Sequence, residues 1–186
     1  MNTIAAHLRD EPDVAEEMLE RLSTLLRMVL RGAGEHEVPL ARELDLVGHY
    51  LGIHEVRFGG RLVVHYDVEP ALEGALVPHM VLQPIVENAV AHGVAARPGP
   101  ARISVTAAAN GPTLLLSVRD DGSAGAHPPP PGTGIGLPNT RARLAQLYGS
   151  RARLTVAPHD GGTRVDVALP LHFAAPAEPQ PREAGV

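Results

Sequence analysis

Leu82-Gln83-Pro84-Ile85-Val86-Glu87-Asn88-Ala89-Val90-Ala91-His92-Gly93 reads as an amphipathic helix whose polar face carries chemistry. Helical periodicity holds over 79–92. At about 3.6 residues per turn, Leu82, Ile85, Val86, Ala89 and Val90 form one apolar arc, while Pro84, Asn88, Ala91 and His92 fall on the other side. Asn88 and His92 are thereby stacked one turn apart, facing away from the core, with Glu87 at the border. A carboxamide oxygen is a neutral hard ligand, suited to Mg²⁺ when phosphates bring most of the charge. A lone helical Asn is more often a solvated position, and a His near a helix C-terminus is commonly held there by the dipole. Two segments further along the chain shift that balance.

Both supply what a nucleotide needs. Asp120 closes a β-rich run and is succeeded by Asp121-Gly122. A carboxylate at a strand end can accept a hydrogen bond from an exocyclic amine, and Gly122 allows a base to approach closely. Gly132-Thr133-Gly134-Ile135-Gly136-Leu137 then offers backbone amides with little side-chain cover, ahead of a helical stretch at about 137–148 whose N-terminus would face an anion. A dinucleotide-binding loop is excluded, because the third glycine is missing in every register and a proline run rather than a strand precedes the loop. An amide, an acid and a glycine loop, in that order, can serve a metal, a purine and a triphosphate.

The flanking sequence predicts the scaffold. Segments 61–68, 102–107, 113–119, 152–156 and 163–169 alternate or are β-rich, giving five strands. Asn110-Gly111 and Asp160-Gly161-Gly162 are hairpin signals, so the last four strands pair antiparallel in twos. Helices at 79–92 and 137–148 alternate with these hairpins, which favours an α+β layer with helices on one face of the sheet. Upstream, Val14, Met18, Leu22, Leu25 and Val29 mark one amphipathic helix ending near Arg31. Leu40, Leu44, Val47, Leu51 and Phe58, with His54 in the missing position, mark a second beginning at Pro39. Two helices with a short Gly-containing turn form an antiparallel hairpin, which needs burial against the rest of the chain or against a second copy. Gly125–Pro131 holds four consecutive prolines, and 174–186 is rich in Pro, Ala and Glu and reads as a disordered tail.

Composition narrows the function. All 16 residues counted as Lys+Arg are arginines, which excludes a P-loop and a serine/threonine kinase fold, since both need a lysine. A net charge of -5 without a basic stripe argues against nucleic acid as a partner. Zero cysteine removes thiol chemistry and suits a cytoplasmic setting. No apolar run approaches a membrane span and no secretory signal opens the chain, so no membrane contact by this chain itself is expected.

Taken together the three segments resemble the N, G1 and G2 boxes of the GHKL ATP-binding superfamily, which includes histidine kinases, gyrase, Hsp90 and MutL. Leu82–Ala89 with His92-Gly93, and Gly134-Ile135-Gly136-Leu137-Pro138-Asn139-Thr140-Arg141-Ala142-Arg143-Leu144, look specifically like the LytS-type sensor histidine kinases, a likeness that covers 2–173. The resemblance implies a Bergerat-type α/β sandwich, with a mixed, mostly antiparallel sheet, behind the two-helix hairpin. It implies ATP and Mg²⁺ as cofactors: Asn88 binds the metal, Asp120 reads adenine, Gly122 lets the base approach, and Gly132, Gly134 and Gly136 close over the phosphates with Thr133, Ile135 and Leu137. His92 belongs to the same box, Thr163 matches a later segment near the base, and Glu87 would assist the acceptor as the catalytic residue.

Departures from the pattern are specific. Ala91 stands where the family often has Lys, Asp121 replaces an Asn, and Ala124 replaces a glycine. Pro84 occupies the place of the Glu that activates water in the superfamily's ATPases, which favours phosphoryl transfer to a protein side chain over hydrolysis. None of the ten histidines, His7 included, lies in the His-Phe-x-Phe-Asn context of the family's phosphoacceptor. The expected protein is therefore the ATP-binding catalytic region of a two-component sensor histidine kinase, acting on a histidine outside this chain. Residues 1–59 would be a dimerisation-like hairpin forming a homodimer, 60–173 the catalytic domain and 174–186 the tail. A response regulator is the downstream partner, and the setting is cytoplasmic, as the cytoplasmic portion of a membrane sensor would be. The alternatives are a non-catalytic dimerising module with weak nucleotide binding and, less favoured, a GHKL ATPase.

Overall fold

The computed structural model describes residues 11–32, 34–95, 99–122 and 136–174. Helix α1 (Pro12–Arg31) starts with a proline in its first turn, where the missing N–H costs nothing, and ends at Gly32. Strand β1 (Glu37–Pro39) leads directly into α2 (Leu40–Arg57). Then come β2 (Leu62–Val68), β3 (Leu76–Pro78) and α3 (Gln83–Asn88), which continues as a π-helical turn over Ala89–Val94. Strands β4 (Ala101–Asn110) and β5 (Thr113–Asp120), helix α4 (Gly136–Tyr148), and strands β6 (Arg153–His159) and β7 (Gly162–Pro170) complete the described chain.

Five strands form one sheet in the order β2-β4-β5-β7-β6. Only β2 and β4 run parallel; the other three pairings are antiparallel. The expected turns close both hairpins. Gly111 takes φ +58, and Asp160 and Gly161 take +46 and +84, the left-handed pair that a tight two-residue connection requires. β1 and β3 form a separate antiparallel pair.

Strand alternation decides what faces the helices. Ile103, Val105 and Ala107 of β4, Leu114, Leu116 and Val118 of β5, and Val165, Val167 and Leu169 of β7 all point into a core shared with Ile85, Val86 and Ala89 of α3 and Leu144 of α4. The five apolar positions expected on the 79–92 stretch are all buried. α2 joins this core through Leu40, Val47 and Leu51, while Ala15 and Met18 of α1 are buried apart from it. α1 packs on α2, and Gly52 leaves room for the Arg21 guanidinium, where a β-carbon would overlap it. At the other end Met28 lies by Arg42 and Leu46, so the hairpin is antiparallel.

Two features depart from the expected elements. The stretch expected as one helix over 79–92 has its first regular turn at Gln83, because Met80 takes φ +58 and breaks the helical path. Its second half then widens to i→i+5 spacing, with the Ala95 N–H donating to Val90 O at 2.9 Å. The four-proline run and residues 175–186 lie outside the described residues.

Candidate functional site

Asp120 sits where alternation carries β5 one step past its apolar residues. Leu114, Leu116 and Val118 face the helices, and the next inward position is a carboxylate, 6% exposed and level with Ile103. Three glycines enclose it. A β-carbon on Gly93 would stand 2.7 Å from the Asp120 β-carbon, and one on Gly162 would overlap the Asp120 carbonyl oxygen. One on Gly122 would overlap Gly93 Cα. Side chains at these positions would drive the acid out of its place. The Gly122 N–H donates to Asp120 Oδ1 at 3.0 Å, and the Thr163 backbone N–H donates to the same carboxylate. Burial raises the Asp120 carboxyl above the ordinary aspartate value, and nearby Asp121 adds to this; the two backbone bonds and the neighbouring His92 pull it back only in part.

The structure thus brings His92, Asp120, Gly122 and Thr163 together, at the junction of the π-turn with the ends of β5 and β7. Gly93 of the widened turn lies directly against Asp120.

Asn88 is half-buried at the last position of α3 before the π-turn. Among the described residues no side chain holds its carboxamide. Glu87 is exposed and accepts a hydrogen bond from Gln83 Nε2 at 3.0 Å. Its charge, after burial, helps push the Tyr50 hydroxyl of α2 up to about 12. Gly136 opens α4 against the same helix: a β-carbon there would come 3.2 Å from Pro84 Cβ. The Thr140 hydroxyl, buried in the next turn, donates back to Gly136 O at 3.0 Å. Leu137 is half-buried against the core. Gly132, Thr133, Gly134 and Ile135 lie outside the described residues.

These observations fit a magnesium nucleotide. An uncommitted amide on a helix, a buried carboxylate ringed by glycines, and the end of the glycine loop seated on the amide's helix are the parts such a ligand uses. Three contributing residues were not singled out by the sequence. Gly93 and Gly162 were legible only as parts of a motif and a turn, because their role is a close approach between elements distant in the chain. Glu43 of α2 is fully buried beneath the start of α3. Its signal was a charged residue within the apolar stripe of Leu40, Leu44 and Val47.

Comparisons with known proteins bear on the family and the fold. Residues 1–62 match the family model described as histidine kinase, and residues 75–172 match that of the histidine kinase-, DNA gyrase B- and HSP90-like ATPases. The sensor protein LytS of Staphylococcus haemolyticus is 33% identical over 183 residues, covering 92% of this chain and 31% of its own length. The sensor histidine kinase BtsS of Escherichia coli is 34% identical over 172 residues, covering 91% and 30%. The chain thus spans about a third of the length of these relatives. Among solved structures, the histidine kinase domain of a blue-light activated histidine kinase from Erythrobacter litoralis superimposes with a TM-score of 0.54 at 20% identity, over 85% of this chain and 75% of that one. A nucleotide-free catalytic domain of histidine kinase ThkA gives 0.56 at 16% identity, over 72% and 95%. At these identities the two structures speak for the fold.

Proposed function

We propose, given that this chain belongs to the histidine kinase-, DNA gyrase B- and HSP90-like ATPase family, that it is the ATP-binding catalytic region of a LytS-type sensor histidine kinase. It would transfer the γ-phosphoryl of Mg·ATP to a protein histidine. Residues 60–173 form the nucleotide-binding part and 1–59 the dimerising hairpin. A response regulator takes the phosphoryl group onward, and the region works in the cytoplasm.

The observation that carries this reading is the Asp120 cradle. Gly93, Gly122 and Gly162, from three separate elements, have all given up a side chain around one buried carboxylate. That is more than a plain Asp-Asp-Gly turn requires. In this reading Asp120 accepts a hydrogen bond from the exocyclic amine of adenine, Thr163 stands beside the base, and Asn88 with His92 faces the phosphates. Bound at Asn88, Mg·ATP supplies the phosphoryl group, and its cation offsets the phosphate charge. The chain's own work would be positional and electrostatic: Asn88 would orient the metal, the glycine loop would hold the phosphates, and Glu87 at the helix border would assist the acceptor. Pro84, packed on Gly136, cannot activate water.

The test is label transfer from γ-labelled ATP to a LytS-type acceptor helix supplied as a separate polypeptide. Acid-labile label on the acceptor, lost with Asn88→Ala, is the expected result. Steady release of free phosphate with no protein label would favour a GHKL ATPase instead.

A further inference from the structure

Glu43, at 0% exposure, is the most deeply buried acidic side chain among the described residues, and it pairs with no arginine there. Its carboxylate is spent on the turn that enters α3. Oε1 accepts the Met80 N–H at 2.6 Å, Oε2 accepts the Leu82 N–H at 3.1 Å, and the His79 Nδ1 lies 3.3 Å from Oε1. Met80 is one of two non-glycine residues with positive φ among the described residues, at +58. A backbone in that region persists only where its surroundings hold it, and here the Met80 N–H runs straight to a buried charge. Glu43 thus holds the backbone on both sides of the bend before α3.

Six residues on from Leu82 stands Asn88, on a helix too short to absorb a displacement of its first turn. Pro84, which carries Gly136, lies between them. The other side of the turn reaches the hairpin. The His79 ring occupies the space where Gly32, at the end of α1, would have a β-carbon, and its Nε2 is buried without a partner. One joint thus touches α1, α2 and the helix of the site.

We propose that Glu43 is a positioning residue for the nucleotide site: it fixes where Asn88 stands, and through His79 against Gly32 it makes that position depend on how α1 is seated. The proposal rests on the nucleotide reading above, and its test separates the two. Glu43→Gln keeps the shape but replaces one acceptor oxygen with a donor, so one of the two N–H groups loses its partner. Gly32→Ala forces the imidazole away from α1 without touching the site.

ATP affinity of the full chain is measured by calorimetry with and without Mg²⁺, and folding by thermal melting. Glu43→Gln is expected to weaken Mg·ATP binding roughly fivefold to tenfold, a modest change on the affinity scale, while Mg²⁺-free binding falls distinctly less. Gly32→Ala shifts the Mg²⁺-dependent part in the same direction. If both variants are folded and bind Mg·ATP as the wild type does, the proposal is overturned; equal losses with and without Mg²⁺ overturn it too, since a merely loosened pocket would behave so. Should Glu43→Gln fail to fold, Gly32→Ala alone decides. A wild-type chain that binds no Mg·ATP removes the functional reading itself.

Discussion

At the scale of single residues, the site depends on Asp120 being held in a place where strand alternation would normally put an aliphatic side chain. Gly93→Ala adds a β-carbon 2.7 Å from that of Asp120 and is expected to destabilise the fold by about 1–3 kcal/mol, the usual cost of overpacking. Urea unfolding measures this, and an unchanged midpoint would show that the cradle has slack. Acid titrates the same carboxyl. Its folded-state value is raised by burial, so protonation favours the fold at low pH, and that contribution fades as pH rises through the raised value. The charged carboxylate, the stronger acceptor for the adenine amine, is present only above it. ATP affinity should therefore begin to fall on acidification at a pH above the ordinary aspartate range, and Asp120→Asn should lack that component. Comparing the two proteins by calorimetry across pH cancels the titration of the nucleotide; identical profiles would contradict the assignment. Asp120 was legible in the sequence because it ends a β-rich run and lies just ahead of a glycine turn. The Gly93 and Gly162 contacts were not, since nothing local marks a glycine that is needed by a residue of another element.

At the scale of elements, α2 carries a ladder of rings, with Tyr50 and His54 centroids 4.6 Å apart and His54 and Phe58 5.9 Å apart. Arg57 and Arg61 lie over the Phe58 ring at 5.3 and 5.4 Å. Burial, then the Arg57 charge, lowers His54 to about 4. The folded value lies below the unfolded one, so the stability that the neutral ring contributes is complete above the unfolded value of 6.5 and is lost as pH falls towards about 4. Chemical denaturation should show this slope, at most about 1.4 kcal/mol per pH unit for one proton, and His54→Phe should remove it while keeping the stack. A slope that survives the substitution belongs to another group. The sequence placed His54 on this stripe because its spacing from Leu51 and Phe58 is helical. It could not place the π-turn, since apolar spacing over 79–92 is nearly the same for a continuous helix and for one widened by a single residue. Strands β1 and β3 have three residues each, too few for alternation to register.

At the scale of the whole molecule, α1 is apolar on two sides. Ala15 and Met18 are buried, yet Leu19, Leu26 and Leu30 are 47%, 55% and 73% exposed on the outer side. Their spacing of seven and four is that of a helix–helix seam. The sequence showed one stripe, Val14 to Val29, and its overlap with the second concealed that only part of it is used within the chain. In the proposed homodimer Leu26→Glu should shift the protein to monomer in light scattering; a wild type already monomeric at all concentrations would contradict the dimer. The sheet end of the molecule is tied to the hairpin end through Glu37 of β1, which accepts the Tyr148 hydroxyl and lies 3.1 Å from His172 Nε2. Among the described residues no helix is long and apolar enough to cross a membrane.

The fold, the cradle and the hairpin joint all bear on whether Mg·ATP binds between Asn88 and Asp120. Calorimetric titration of Mg·ATP into the wild type, Asn88→Ala and Asp120→Asn is the decisive measurement. Saturable binding by the wild type is expected, with abolition of the Mg²⁺-dependent binding by Asn88→Ala and a loss of roughly tenfold or more with Asp120→Asn, as for an unmatched buried hydrogen bond. Binding of the same affinity in all three proteins, each folded, would mean that the nucleotide does not sit there.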